Sequence, residues 1–190
     1  MTATTTTTDS RPLAFLDGTA RILVSGRDDD AGVSVIEMTM PEGSMPPPHI
    51  HDEDESVYVV AGRITFYVGG ETIRVGARER VDLPRGVTHT YRVDSPDGAR
   101  WVSLTAHGRY EDFVREVGRP AGGPSGGLAL QSLADLVALT TAAARNGIEI
   151  VGAPGSIPRA AGGEERAEKR PSRFRLPLRP LSAPLARAAA

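Results

Sequence analysis

The chain of 190 residues contains no cysteine. That single absence excludes disulfides, thiolate metal sites, iron–sulfur clusters and a cysteine nucleophile. Any metal has to be held by histidine, aspartate or glutamate, and histidine itself is scarce, at four. Charge of one sign is also lacking: 22 basic residues face 24 acidic ones, for a formal charge of -2. No global field recruits nucleic acid or an anionic membrane. Lysine is almost missing, Lys169 being the one example, a bias that reads as codon usage in a GC-rich genome. No run of 18 apolar residues occurs, so no membrane-spanning helix is predicted. The threonine-rich start, Met1-Thr-Ala-Thr-Thr-Thr-Thr-Thr, lacks the apolar stretch of a secretory signal. A cytoplasmic protein is the expectation.

What is present divides into a body and two tails. Residues 1–10 are polar and read as a disordered tail. Residues 11–155 read as one domain, with a barrel over about 12–106 and helices over about 110–118 and 132–147. Residues 156–190 are rich in Arg, Pro and Ala and read as a second disordered tail. Residues 159–190 hold 8 of the 22 basic residues and 3 of the 24 acidic ones. No basic run exceeds two and only Phe174 could stack on a base, so a solvated extension is favoured over a nucleic-acid arm.

Within the body, short β-branched segments alternate with turn residues. Thr19–Ser25 and Val33–Met40 flank the turn 27–32, a hairpin signal. Ser56–Val60, Arg63–Val68, Glu71–Val75, Arg80–Leu83, Thr88–Val93 and Arg100–Thr105 follow, with Ser95-Pro-Asp-Gly98 as a turn. About eight short strands at this spacing predict an all-β sandwich or barrel. Tyr110–Val117 then reads as a helix ended by Gly118. Ser132 is positioned to N-cap a second one, with Asp135 at the capping-box position and Leu133, Leu136, Val137 and Thr140 on its apolar face. It should end at Asn146-Gly147. The connector 121–127 is glycine-rich. Both helices are too short to stand alone and are expected on the outside of the barrel.

The chemistry concentrates in Pro46-Pro-Pro-His49-Ile-His51-Asp-Glu-Asp-Glu55. Residues at i and i+2 of a strand point to the same face, so His49 and His51 can reach one ion. Glu55 could rejoin that face, and His89, in Pro84-Arg-Gly-Val-Thr-His89-Thr-Tyr91, could complete the set from another strand. Three imidazoles and a carboxylate suit Mn, Fe, Co, Ni or Zn and leave coordination positions open.

These residues carry a resemblance. Gly43-(five residues)-His49-Ile-His51-(three)-Glu55-(six)-Gly62 matches the first motif of the cupin superfamily at every fixed position, and Pro84-Arg-Gly86-Val-Thr-His89 resembles the core of the second. The resemblance covers about Phe15 to Ala106. It implies a double-stranded β-helix, or jelly roll, and it implies His49, His51, Glu55 and His89 as ligands of one divalent metal. Three positions depart from the pattern: Arg78 stands where the second motif has a glycine, Glu79 follows it, and Val93 replaces an asparagine. More finely, the Pro-Pro-His-x-His-x-x-x-Glu opening, the segment Tyr110-Glu-Asp-Phe-Val-Arg and the ending Gly147-Ile-Glu-Ile-Val-Gly152 look like bacterial quercetin-dioxygenase-like monocupins. That likeness implies a dioxygenase acting on a small aromatic or enol-type substrate with dioxygen, and a second role for Glu55 as proton acceptor. A cupin that binds a metal or small ligand without turnover, and a metal-assisted isomerase or cyclase of secondary metabolism, are the alternatives.

Around the metal, strand parity places Tyr91 on the face of His89 and brings Met38 and Met40 near the mouth. Phe66 and Trp101 are further candidates for a substrate pocket, with core packing as the plainer reading of both. His107, next to Gly108, reads as a turn residue. Cupins commonly pair through their sheets, so a homodimer is expected, with the strand near Phe15 or Thr19–Ser25 as an exposed edge.

Overall fold

The computed structural model describes residues 11–27, 32–106, 108–122 and 132–158. The two tails apart from 156–158, the tip of the first hairpin turn, His107 and most of the 121–127 connector lie outside the described residues.

Alternating apolar and polar residues build two antiparallel sheets. The first contains β1 (Leu13–Phe15), β2 (Gly18–Val24), β3 (Val33–Met40), β5 (Glu55–Ala61), β8 (Arg80–Leu83), β10 (Ala99–Ala106) and the two-residue β11 (Arg119–Pro120), in the order β11-β1-β2-β3-β10-β5-β8. The second contains β4 (His49–His51), β6 (Arg63–Val68), β7 (Glu71–Gly76), β9 (His89–Val93) and β12 (Ile148–Ile150), in the order β12-β4-β9-β6-β7. Two such sheets with non-consecutive neighbours make the all-β jelly roll expected from the sequence. The interior is filled by the inward positions of both sheets, including Ile36, Met38, Val57 and Val59 from the first and Ile64, Phe66 and Val93 from the second. Strand periodicity accounts for this: on β3 and β10 every second residue is buried.

Two backbone positions explain motif residues. Gly62 turns β5 into β6 at φ +86°, and a Cβ there would lie 2.5 Å from the carbonyl oxygen of Gly98, so only glycine fits. Arg78, which occupies a glycine position of the second motif, adopts φ +71°. The turn keeps the left-handed backbone, held by Arg78 N–H to Val59 O at 2.8 Å, although its side chain is not suited to it.

Helix α1 (Arg109–Val117) and helix α2 (Leu133–Arg145) form as the sequence suggests, and Ser132 and Asp135 make the reciprocal capping box. Their packing differs from expectation in two respects. The buried face of α2 is Leu139, Ala142 and Ala143, whereas Leu133 and Val137 are 77% and 57% exposed. The Leu133–Thr140 stripe points away because only the C-terminal half of the helix meets the barrel. Nor do the helices lie simply on the outside: side chains of both line the internal cavity, as described next. α1 is anchored by the fully buried Glu111, whose carboxylate accepts from Ser25 Oγ (2.8 Å), Ser34 Oγ (2.7 Å) and Gly26 N–H (2.9 Å) and pairs with Arg115. Burial raises the Glu111 pKa, but these donors outweigh it and hold the group below its usual range.

Candidate metal centre

Three histidines meet on the second sheet. His49 and His51 share a face of β4, and His49 lies directly across the β4–β9 pairing from His89. One ligand atom from each of the three falls within 4.8 Å of the others. Each ring is oriented from behind: His49 Nδ1 lies 2.9 Å from Pro47 O, His51 Nδ1 2.8 Å from Glu53 O, and His89 Nδ1 2.9 Å from Val87 O. A carbonyl oxygen only accepts, so each Nδ1 carries a proton, and in each neutral ring Nε2 presents the lone pair. The Nε2 atoms of His51 and His89 are buried without a hydrogen-bond partner among the described residues. Unpartnered buried nitrogens are costly. Convergent lone pairs with backbone-fixed tautomers fit a divalent transition ion, and the chain thus provides what such an ion needs.

Glu55 approaches from the other sheet. It opens β5, and its Oε2 lies 3.5 Å from His51 Nε2. It thus stands at the edge of the three-histidine cluster and contacts it through His51. Burial works to raise the Glu55 pKa, but His51 and then His89 hold it below the usual carboxylate range. Burial works to lower His51, and there the Glu55 carboxylate outweighs it, so the pKa rises. His49, surrounded by protein though open to the cavity, is driven down to about 3 by desolvation and by its neighbour His89. His89 is lowered by burial and by His51. The result is an ionised carboxylate beside imidazoles of which two are held neutral at pH 7.

The acidic run between the strands is not merely solvated. Asp54 pairs with Arg85 of the second motif at 2.8 Å and accepts from its backbone N–H, which holds its carboxyl below the usual range. Glu53 is buried and caps α1, so burial raises its pKa against the pull of the Arg109 and Tyr110 amides.

His49 and His89 open on a cavity lined mostly by apolar and aromatic side chains. His49, His89 and Glu55 form its polar side. Of the pocket residues read from sequence, Tyr91, Met38, Phe66 and Trp101 line it. Met40 does not: it is 1% exposed, at the end of β3, and packs beneath Gly18. His107 lies outside the described residues. Tyr91 stacks edge-on against Trp101 at 5.0 Å, and burial raises its hydroxyl pKa.

Sequence reasoning missed the opposite wall. Tyr110 and Phe113 of α1, Leu139 and Ala143 of α2, and Ile148 and Ile150 of β12 complete the cavity. Burial, with the Glu55 charge second, pushes the Tyr110 hydroxyl well above its usual pKa. The signal available in sequence was the alternation in Ile148-Glu-Ile150, which pairs with β4 in the register Ile148↔His51 and Ile150↔His49.

Comparison with known proteins bears on the fold. Residues 36–105 match the cupin domain family, and they are a cupin domain. Quercetin 2,3-dioxygenase from Bacillus subtilis (strain 168) is 27% identical over 101 residues, which is 53% of this chain and 30% of that protein. The chain therefore matches less than a third of that relative's length. Similar solved structures include the polyketide cyclase RemF from Streptomyces resistomycificus (23% identity, TM-score 0.46, 56% of this chain and 80% of that one). An RmlC-like cupin from Shewanella frigidimarina NCIMB 400 is also similar (15% identity, TM-score 0.48, 58% of this chain and 96% of that one).

Proposed function

We propose that this cupin-domain protein is a metal-dependent dioxygenase acting on a small aromatic or enol-type substrate. One observation carries the reading: His49 and His89, with His51 clustered beside them, stand next to an ionised carboxylate at the polar side of an aromatic-lined apolar cavity. His49, His51 and His89 would hold a divalent cation, with Glu55 in reach of the same site. When bound, that cation supplies Lewis acidity to a coordinated substrate oxygen and lowers its pKa.

The chain's own residues do the rest. Glu55, held ionised by His51, accepts the proton of an enol or phenol hydroxyl at a carboxylate oxygen. Phe66, Tyr91 and Trp101 on one side and Tyr110 and Phe113 on the other present flat apolar surface that orients a planar ring and excludes water. Among the described residues no arginine or lysine lines the cavity, so away from the ion itself no side chain there favours a further anionic substituent. The nearby quercetin dioxygenase likeness, limited to one domain's length, supports the same substrate class.

Oxygen uptake by protein reconstituted separately with Fe, Mn, Co, Ni and Zn, over a panel of flavonols and simple phenols, tests this. Uptake with at least one metal and one enolic substrate is expected. Full metal occupancy with no uptake over the whole panel would overturn it and leave the metal-assisted isomerase or the binding module as the reading.

A further inference from the structure

The link between β4 and β5 is three acidic residues, Asp52, Glu53 and Asp54, and it lies outside both sheet ladders. Side chains hold it in place. Asp52 reaches Arg109 at 3.3 Å on the surface, and Asp54 holds Arg85. Glu53 is of another kind, being 2% exposed. Its two carboxylate oxygens accept the N–H groups of Arg109 at 3.0 Å and Tyr110 at 3.1 Å, while its main-chain carbonyl accepts from His51 Nδ1 at 2.8 Å.

Helix α1 depends on this contact. Its N-cap residue is Gly108, which offers no side-chain cap, so the first amides of the helix have their acceptor 56 residues back in sequence. Tyr110, whose amide is held this way, turns its ring toward the metal side: its centroid lies 6.4 Å from that of His51, and it lines the cavity. One residue thus orients an imidazole with its backbone and a cavity wall with its side chain. Because the link has no ladder bonds, side-chain contacts set the position of the Glu53 carbonyl, and the hold of α1 on the Glu53 carboxylate is the buried one of them.

We propose that Glu53 is a positioning residue that couples the histidine cluster to the Tyr110 wall, so that an ion on the histidines and an ordered α1 N-terminus stabilise one another. The proposal rests on the reading of His49, His51 and His89 as a metal site. Coupling of this kind is reciprocal: what orders one side strengthens the other.

The test uses Zn²⁺ alone, without substrate or turnover, on the full chain and its Glu53→Gln, Glu53→Ala and Asp52→Asn variants. Zn²⁺ affinity is measured by competition with a chromophoric chelator, and hydrogen exchange of the Arg109 and Tyr110 amides is followed with and without Zn²⁺. In the wild type, Zn²⁺ should slow exchange at both amides. Glu53→Ala keeps the carbonyl that orients His51 but frees it from α1; it should weaken Zn²⁺ up to about tenfold, the lower end of the effect of losing an outer partner outright, and exchange at these amides should no longer respond to the ion. Glu53→Gln keeps the shape and one acceptor oxygen and should fall between. Asp52→Asn, at the exposed partner, should match the wild type.

A purely structural cap would lower the melting temperature yet leave Zn²⁺ affinity and the exchange response unchanged, and that result overturns the coupling. Should Glu53→Ala not fold, Glu53→Gln decides: affinity within twofold of wild type and an intact exchange response overturn it. If the wild type binds no Zn²⁺, the metal reading and the coupling fall together; if wild type and variants bind alike, the coupling alone falls.

Discussion

His49 and His89 are direct cross-strand partners, their ring centroids 4.5 Å apart, although 40 residues separate them in the chain. Two imidazoles this close, each with its Nδ1 proton committed to a backbone carbonyl, leave two lone pairs facing a shared point. An ion that binds this folded arrangement and not the unfolded chain stabilises the protein by mass action. At 100 times its dissociation constant the gain is about 2.7 kcal/mol.

A divalent transition metal is therefore expected to raise the melting temperature by several degrees in differential scanning calorimetry. His89→Ala should abolish the increase. A shift of equal size in that variant would place the ion elsewhere.

The metal-free protein should lose stability in acid. His49 has an ordinary pKa of 6.5, and its folded value of about 3 means that from 6.5 down to 3 the unfolded chain binds a proton that the folded one refuses. Its contribution is thus complete above 6.5 and lost as pH falls toward 3. His89 and Glu55, both lowered, act in the same direction, Glu55 at more acidic pH. His51, which is raised, acts oppositely: its contribution is complete below 6.5 and lost as pH rises through its folded value. Each proton is worth about 1.4 kcal/mol per pH unit within its window. Urea midpoints in the presence of a chelator should fall between pH 7 and pH 5, and His49→Leu should flatten that fall. An unchanged slope in the variant would refute the assignment.

Arg78 carries a strain the fold does not need. A left-handed backbone costs a non-glycine residue about 1–2 kcal/mol, and glycine's extra unfolded-state freedom returns about 0.4–1 kcal/mol of that. Arg78→Gly should therefore stabilise the protein by about 0.5–1 kcal/mol in chemical denaturation. Destabilisation would show that the exposed Arg78 side chain makes a contribution of its own.

Much of this was legible beforehand because strands announce themselves locally. β-Branched segments bounded by turn residues, Val33–Met40 and Arg100–Thr105, marked β3 and β10, and the spacing of His49, His51 and Glu55 marked the site. What was hidden depends on long-range pairing. β12 has only three residues, so the alternation in Ile148-Glu-Ile150 is a weak signal by itself, and the strand forms by pairing with β4. Tyr110 and Phe113 became cavity wall only because α1 folds back over the barrel. The face of α2 was misjudged since Leu133, Leu136 and Val137 form the better apolar stripe, while the surface that meets the barrel is made largely of alanine. In the acidic run, spacing set Glu55 apart, but nothing local distinguishes Glu53, whose partners begin 56 residues later. The placement of Arg78 in a glycine's conformation was foreshadowed by the motif, which has glycine there.

The most direct test of the proposed reaction is isotopic. Metal-loaded protein and a flavonol that supports oxygen uptake are incubated under ¹⁸O₂, and the product is read by mass spectrometry. A dioxygenase places both labelled atoms in the organic products, and Glu55→Gln should retain the metal while losing most of that incorporation. Product formed without label, or label in only one position with the second atom in water, would contradict the assignment.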